Sequence, residues 1–139
     1  MPRFMMFMMI PGDTNEADWS PSAEDVAAMG RYNEELTKAG VLLALDGLHP
    51  TSKGARVAFS GGKSSVTDGP FTEAKEVVGG YWVIQASSKE EAVEWATRCP
   101  AEGAAIEVRQ VFEMSDFPED VQQAAGEAAV SPSEQPSAR

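Results

Sequence analysis

The sequence predicts an α+β domain made of two β-α-β units with a β-hairpin inserted between them. Three observations predict it. Residues 3–10 and 81–86 are apolar at consecutive rather than alternating positions, the pattern of strands covered on both faces. A stretch with helical spacing of apolar residues, bounded by start and stop signals, follows each of these strands. Between the two units, Ser60-Gly61-Gly62-Lys63 separates two short strand-like segments and marks a hairpin turn.

Taken in order, Arg3 to Ile10 forms the first strand, and Pro11-Gly12-Asp13 ends it. Ser20-Pro21 then starts a helix, with Ser20 as cap and Pro21 at the first helical position. Val26, Met29, Tyr32, Leu36 and Ala39 line its apolar face, and Gly40 stops it. Val41 to Leu45 is the second strand. Ala55–Phe59 and Ser64–Thr67 are the arms of the hairpin. Gly79-Gly80 opens the third main strand, Tyr81 to Ala86. Ser88-x-x-Glu91 is a capping box for a second helix near 88–99, ended by Pro100. In the last main strand, 104–113, Ile106, Val108, Gln110 and Phe112 alternate with Glu107, Arg109, Val111 and Glu113, so one face is polar. The domain is expected to span residues 1–115. The segment 116–139 is an acidic Ala/Ser/Pro-rich tail, with a short helix near 118–129 and disorder from Ser131 to Arg139.

This element order predicts a ferredoxin-like sandwich with main-strand order 4-1-3-2, the first and third strands central. These are the two strands that are apolar on both faces. Two helices cover one face of such a sheet, and the other would remain an exposed apolar patch. A homodimer packed through the open sheet face is therefore expected.

Charge narrows the partners. The chain carries 22 acidic and 11 basic residues and no Lys/Arg block, which argues against nucleic acid and against an anionic membrane surface. The apolar run after Arg3 lacks a small-residue cleavage site and is too short to span a bilayer, so a cytoplasmic protein is expected. Cys99 is the only cysteine and His49 the only histidine, which argues against a disulfide, a redox pair or a zinc site. No metal and no cofactor are expected.

The stretch Thr67 to Glu76 carries the most chemistry. Asp68-Gly69-Pro70 is turn-forming, Phe71 is expected to be a mostly buried anchor, and Glu73, Lys75 and Glu76 follow. Asp68-Gly69-Pro70-Phe71 with Thr72-Glu73-x-Lys75-Glu76 resembles the DGPF-motif subgroup of the YCII-related proteins. Gly47-Leu48-x-Pro50, Gly79-Gly80-Tyr81-Trp82, Glu94-Trp95-Ala96-x-Arg98-Cys99-Pro100 and Glu107-Val108-Arg109 extend the resemblance over roughly residues 3–113. The resemblance implies a dimeric α/β barrel of the ferredoxin-like type. Some shorter relatives look like lyases or dehydrochlorinases that use a His on the first helix with an Asp. The first helix here has no His, so that pair is not carried over. Subgroup members are often encoded beside extracytoplasmic-function sigma factors.

His49 is the natural general acid or base, with a loop histidine as the alternative. Asp68 would orient it, act as a base itself, or close an Asx-turn. Glu73, Lys75 and Glu76 would bind a polar ligand or pair locally. Arg109 would hold a carboxylate or pair with Glu107. Trp82 would line a cleft or pack in the core. Two functions fit these residues. One is an enzyme moving a proton on a small polar or aromatic molecule. The other is a non-catalytic ligand-binding or regulatory module.

Overall fold

The computed structural model describes residues 1–12 and 21–127. The elements are β1 (Arg3–Pro11), α1 (Ala23–Lys38), β2 (Leu42–Gly47), β3 (Ala55–Ser60), β4 (Lys63–Asp68), β5 (Glu76–Gln85), α2 (Lys89–Thr97), β6 (Ala105–Gln110) and α3 (Glu119–Glu127). Four strands form one antiparallel sheet in the order β2-β5-β1-β6, and β3 pairs with β4 in a separate two-stranded sheet. The order is the one expected, with the two doubly apolar strands in the middle. The fold is mixed α+β.

Parity sorts β1. Phe4 and Met6 are buried and Met8 packs beside them, against Trp82 and Ile84 of β5 and Ile106 and Val108 of β6. Tyr32 and Leu36 of α1 and Ala92 of α2 complete this core. The helices therefore cover the even-numbered side of β1. The odd-numbered side, with Met5, Phe7 and Met9, faces away from them.

Polar atoms inside the core are bonded. The Trp82 indole N–H donates to Asn33 Oδ1 at 2.8 Å. The Tyr32 hydroxyl donates to the Trp95 carbonyl at 2.8 Å, and its ring meets Trp82 edge to face at 5.9 Å. Burial pushes the Cys99 thiol up to about 11, as suits a packed rather than reactive cysteine.

Several boundaries differ from the sequence expectation. Ser22 caps α1. Its Oγ accepts the Asp25 N–H at 3.0 Å, while the Asp25 carboxylate accepts the Ser22 N–H at 3.4 Å. Pro21 thus lies before the cap rather than inside the helix. Val26 stays 57% exposed, so the buried stripe of α1 is Tyr32 and Leu36. Gly40 does end the helix, at φ +74°. In α2, Ser88 Oγ accepts the Glu91 N–H at 3.1 Å, but the Glu91 carboxylate bonds the Ser87 N–H and hydroxyl, one residue away from the expected box. β5 begins at Glu76, so Gly79 and Gly80 lie inside it. Gly79 is the extra residue where the β1 register shifts, since Met8 pairs with Gly80 and Met9 with Val78. β6 ends at Gln110, and Phe112 turns away to stack on Phe117 at 4.9 Å. The segment 131–139 lies outside the described residues.

Replacing Asn33 by Ala should leave the buried Trp82 N–H without its acceptor. A loss of about 1–3 kcal/mol is expected, measured by urea unfolding with Trp fluorescence. A change within about 0.5 kcal/mol, as at ordinary surface positions, would show that the bond does not hold α1 to the sheet.

Candidate functional site

One end of the sheet gathers the loops that carry the candidate residues. There β2 and β1 finish and β5 begins. The Leu48 N–H donates to the Gly79 carbonyl at 3.0 Å, and the Gly12 N–H to the Lys75 carbonyl at 2.8 Å. The hairpin turns over Gly61 and Gly62, both at positive φ as a two-residue turn requires, and returns to Asp68 opposite Ala55. The Gly69 N–H then donates to the Gly54 carbonyl at 2.9 Å, and the Phe71 N–H to Thr51 Oγ1 at 3.4 Å.

Two glycines permit this docking. A Cβ on Gly69 would overlap the Thr51 carbonyl, and a Cβ on Gly12 would overlap that of Ala74. The 69–75 loop is thus pressed against 51–52 on one side and against the end of β1 on the other. Phe71 is only half-buried rather than mostly buried. Its cover is a side chain: the Arg56 guanidinium lies 4.1 Å from the ring centroid and reaches Glu73 Oε1 at 3.5 Å.

The predicted site residues distribute as follows. His49 and Asp68 are both exposed, and no hydrogen bond or ion pair joins them among the described residues. Lys75 contributes its carbonyl to the loop frame and leaves its ammonium in solvent. Glu76 opens β5 opposite Pro11, and its side chain is exposed. Glu73 pairs with Arg56. Trp82 is in the core, on the helix side. Arg109 lies on the open face with Nη1 3.4 Å from Glu107 Oε2, the local ion pair weighed from the sequence.

The registers define that open face in rows. Asp46, Tyr81, Phe7 and Glu107 form one row across the four strands, and Ala44, Val83, Met5 and Arg109 the next. The centre is apolar and the edges are charged. Within the first row the Tyr81 hydroxyl donates to Asp46 Oδ2 at 2.7 Å, which raises the phenol above its ordinary value. Sequence reasoning missed Asp46 and Arg56. Each acquires a partner through cross-strand or loop contacts that local spacing does not encode. A shallow concavity lined by Phe59 to Ser64 lies at the hairpin tip, at the opposite end of β3 and β4 from these loops. No group of three or more His, Cys, Asp or Glu residues among those described could hold a metal ion.

The arrangement is thus a mixed α+β domain with loops docked at one end of an antiparallel sheet. A family model for the YCII-related domain matches residues 5–115, so the chain belongs to the YCII-related family. It is also 36% identical over 80 residues to an uncharacterized protein of Rhizobium meliloti (strain 1021), a match covering 56% of this chain and 64% of that relative. No helix among the described residues is long and apolar enough to cross a membrane.

The close approaches give a sharp test. Gly12→Ala and Gly69→Ala should each destabilise by about 1–3 kcal/mol, the cost typical of forced overpacking. Gly30→Ala, in α1 with open space around it, should instead stabilise by up to about 1 kcal/mol. Thermal denaturation of the three variants checks the contrast. Equal effects at all three positions would mean that the loop is not pressed against its neighbours.

Proposed function

We propose that this protein is a homodimer of ferredoxin-like domains, an α/β barrel of the DGPF type, that binds a small polar or aromatic molecule. The cleft lies where the 48–54 and 69–75 loops meet the end of the open sheet face. The observation that carries this reading is the rigid docking of those loops around side chains left without partners. Backbone bonds and glycine contacts fix the loops, yet among the described residues His49, Asp68 and Lys75 make no side-chain hydrogen bond or ion pair. Positioned, uncommitted polar groups beside an apolar surface are what a small-molecule site requires. The Tyr81–Asp46 pair lies one row in from this end on the open face and supplies an aromatic wall with a polar tip.

In the catalytic form of this reading His49 transfers the proton, because it is the one side chain here whose ordinary titration falls near neutrality. Asp68 orients the bound molecule or His49 once the site is filled. Lys75 attracts an anionic group. The second copy closes the cleft by covering Met5, Phe7, Met9 and Val83. That no hydrogen bond joins His49 to Asp68 among the described residues favours the second reading, a non-catalytic binding or regulatory module on the same loops.

The test uses a panel of small aromatic and aliphatic carboxylic acids in thermal-shift and calorimetric titrations. At least one should bind, and His49→Ala or Lys75→Ala should weaken it by roughly 10-fold, the loss of one charged contact. Binding indifferent to both substitutions would contradict the placement of the site. NMR in deuterated water then separates the two forms. Exchange of a ligand C–H that disappears in His49→Ala identifies an enzyme, and binding without exchange identifies a module.

A further inference from the structure

Positive charge is segregated in this acidic chain. From Gly47 to Thr67 no acidic residue occurs, while His49, Lys53, Arg56 and Lys63 do. The segment supplies the 48–54 loop and nearly all of the hairpin. An anionic molecule is drawn to such a stretch.

Within it Arg56 is held in place. Its guanidinium lies 4.1 Å from the centroid of Phe71, and Phe71 sits on the loop that Gly69 and Thr51 lock. A guanidinium already resting on an aromatic face loses little freedom when it takes another partner. Thr67 faces Arg56 across the strand pair, and Ser65 lies on the same side of the hairpin. Neither hydroxyl makes a hydrogen bond among the described residues.

The partner that Arg56 does have is weakly held. Nη1 reaches Glu73 Oε1 at 3.5 Å, and both side chains are more than half exposed. Nε and Nη2 make no hydrogen bond among the described residues. Arg3 shows a filled fork in the same chain. There Nε and Nη2 donate to the two carboxylate oxygens of Glu113 at 2.6 and 3.2 Å. The same edge of Arg56 is open, and the group that touches its other nitrogen is a carboxylate.

We propose that Arg56 is the carboxylate anchor of the small-molecule site and that Glu73 is an internal competitor which a ligand carboxylate displaces. The proposal rests on the reading that a small molecule binds at the 48–54 and 69–75 loops, and it names the class of that molecule as a small carboxylic acid. A carboxylate on the open edge gains two parallel hydrogen bonds, where Glu73 makes one long contact. Thr67 offers a hydroxyl to the same group. Displacing Glu73 costs little, because an exposed ion pair contributes little.

The test titrates the full chain with benzoate and with benzamide, its neutral counterpart, and follows amide chemical shifts. Benzoate should move amides in 49–56 and 67–75 and bind more tightly than benzamide. Shifts there from neither compound, at the highest soluble concentration, overturn the site and the anchor together. Shifts from benzamide as strong as those from benzoate overturn the anchor and leave the site standing. Arg56→Gln should weaken benzoate by roughly 10-fold, the loss of one charged contact. Unchanged affinity in Arg56→Gln, with the same amides still shifting, again overturns the anchor alone. Glu73→Gln should tighten benzoate by about 2- to 5-fold, the strength of one exposed ion pair. That gain keeps the proposal falsifiable if Arg56→Gln disturbs the Phe71 loop, since a loosened loop loses affinity. Unchanged or lower affinity in Glu73→Gln shows that its carboxylate does not compete and overturns the proposal.

Discussion

β1 is apolar on both sides, and the two helices that pack on the sheet can cover only one. The rest of the architecture depends on that constraint. It places β1 and β5 in the middle, with Phe4, Met6, Trp82 and Ile84 toward the helices. It leaves β2 and β6 as edges carrying Asp46, Glu107 and Arg109, which tolerate water. It also leaves Met5, Phe7 and Met9 on the side away from α1 and α2. An apolar centre with a charged rim is the anatomy of a surface made to be covered, and a second copy is the occupant we propose for it.

The candidate site depends on a different constraint, backbone against backbone. Gly12 and Gly69 let the 69–75 loop touch its neighbours where any side chain would prevent contact. Such contact fixes a loop without using its polar side chains. Arg56 shows how the structure uses the side chains it does commit: one guanidinium covers the Phe71 ring and reaches Glu73. The groups left over, His49, Asp68 and Lys75, are the ones we propose for the site.

Much of the fold was legible because strand centrality is written in two-sided apolarity, and the Gly61-Gly62 turn in residues that accept positive φ. The start of α1 was misplaced by two residues. Ser20 and Ser22 flank Pro21, and only Ser22 has an acidic residue three positions on to complete the reciprocal cap. The glycine pair before Tyr81 was expected to open the strand. Inside β5, Gly79 absorbs a register shift, and at Gly80 the Asp46 carbonyl sits 3.0 Å from where a Cβ would be. The outward face of β1 could not be read, because a strand apolar on both sides contains no parity signal. Phe71 was overrated as a core residue, since its cover comes from Arg56, fifteen positions upstream on β3. Of the residues named for the site, His49, Glu73 and Lys75 lie on loops, while Asp68 ends β4, Glu76 opens β5, Trp82 is in the core and Arg109 is on β6. Their mutual geometry was not legible, because it depends on cross-strand register and loop docking rather than on spacing.

The central claim is that a second copy covers the odd-numbered side of β1. Methionine oxidation by dilute peroxide, followed residue by residue with peptide mass spectrometry, tests it most directly. Met6, sealed in the core, and Met1, 78% exposed, provide internal limits. The account predicts that Met5 and Met9 oxidise slowly, close to Met6, at high protein concentration, and move toward the rate of Met1 on dilution. Rates for Met5 and Met9 that do not change with concentration while Met1 and Met6 keep their separation would contradict it.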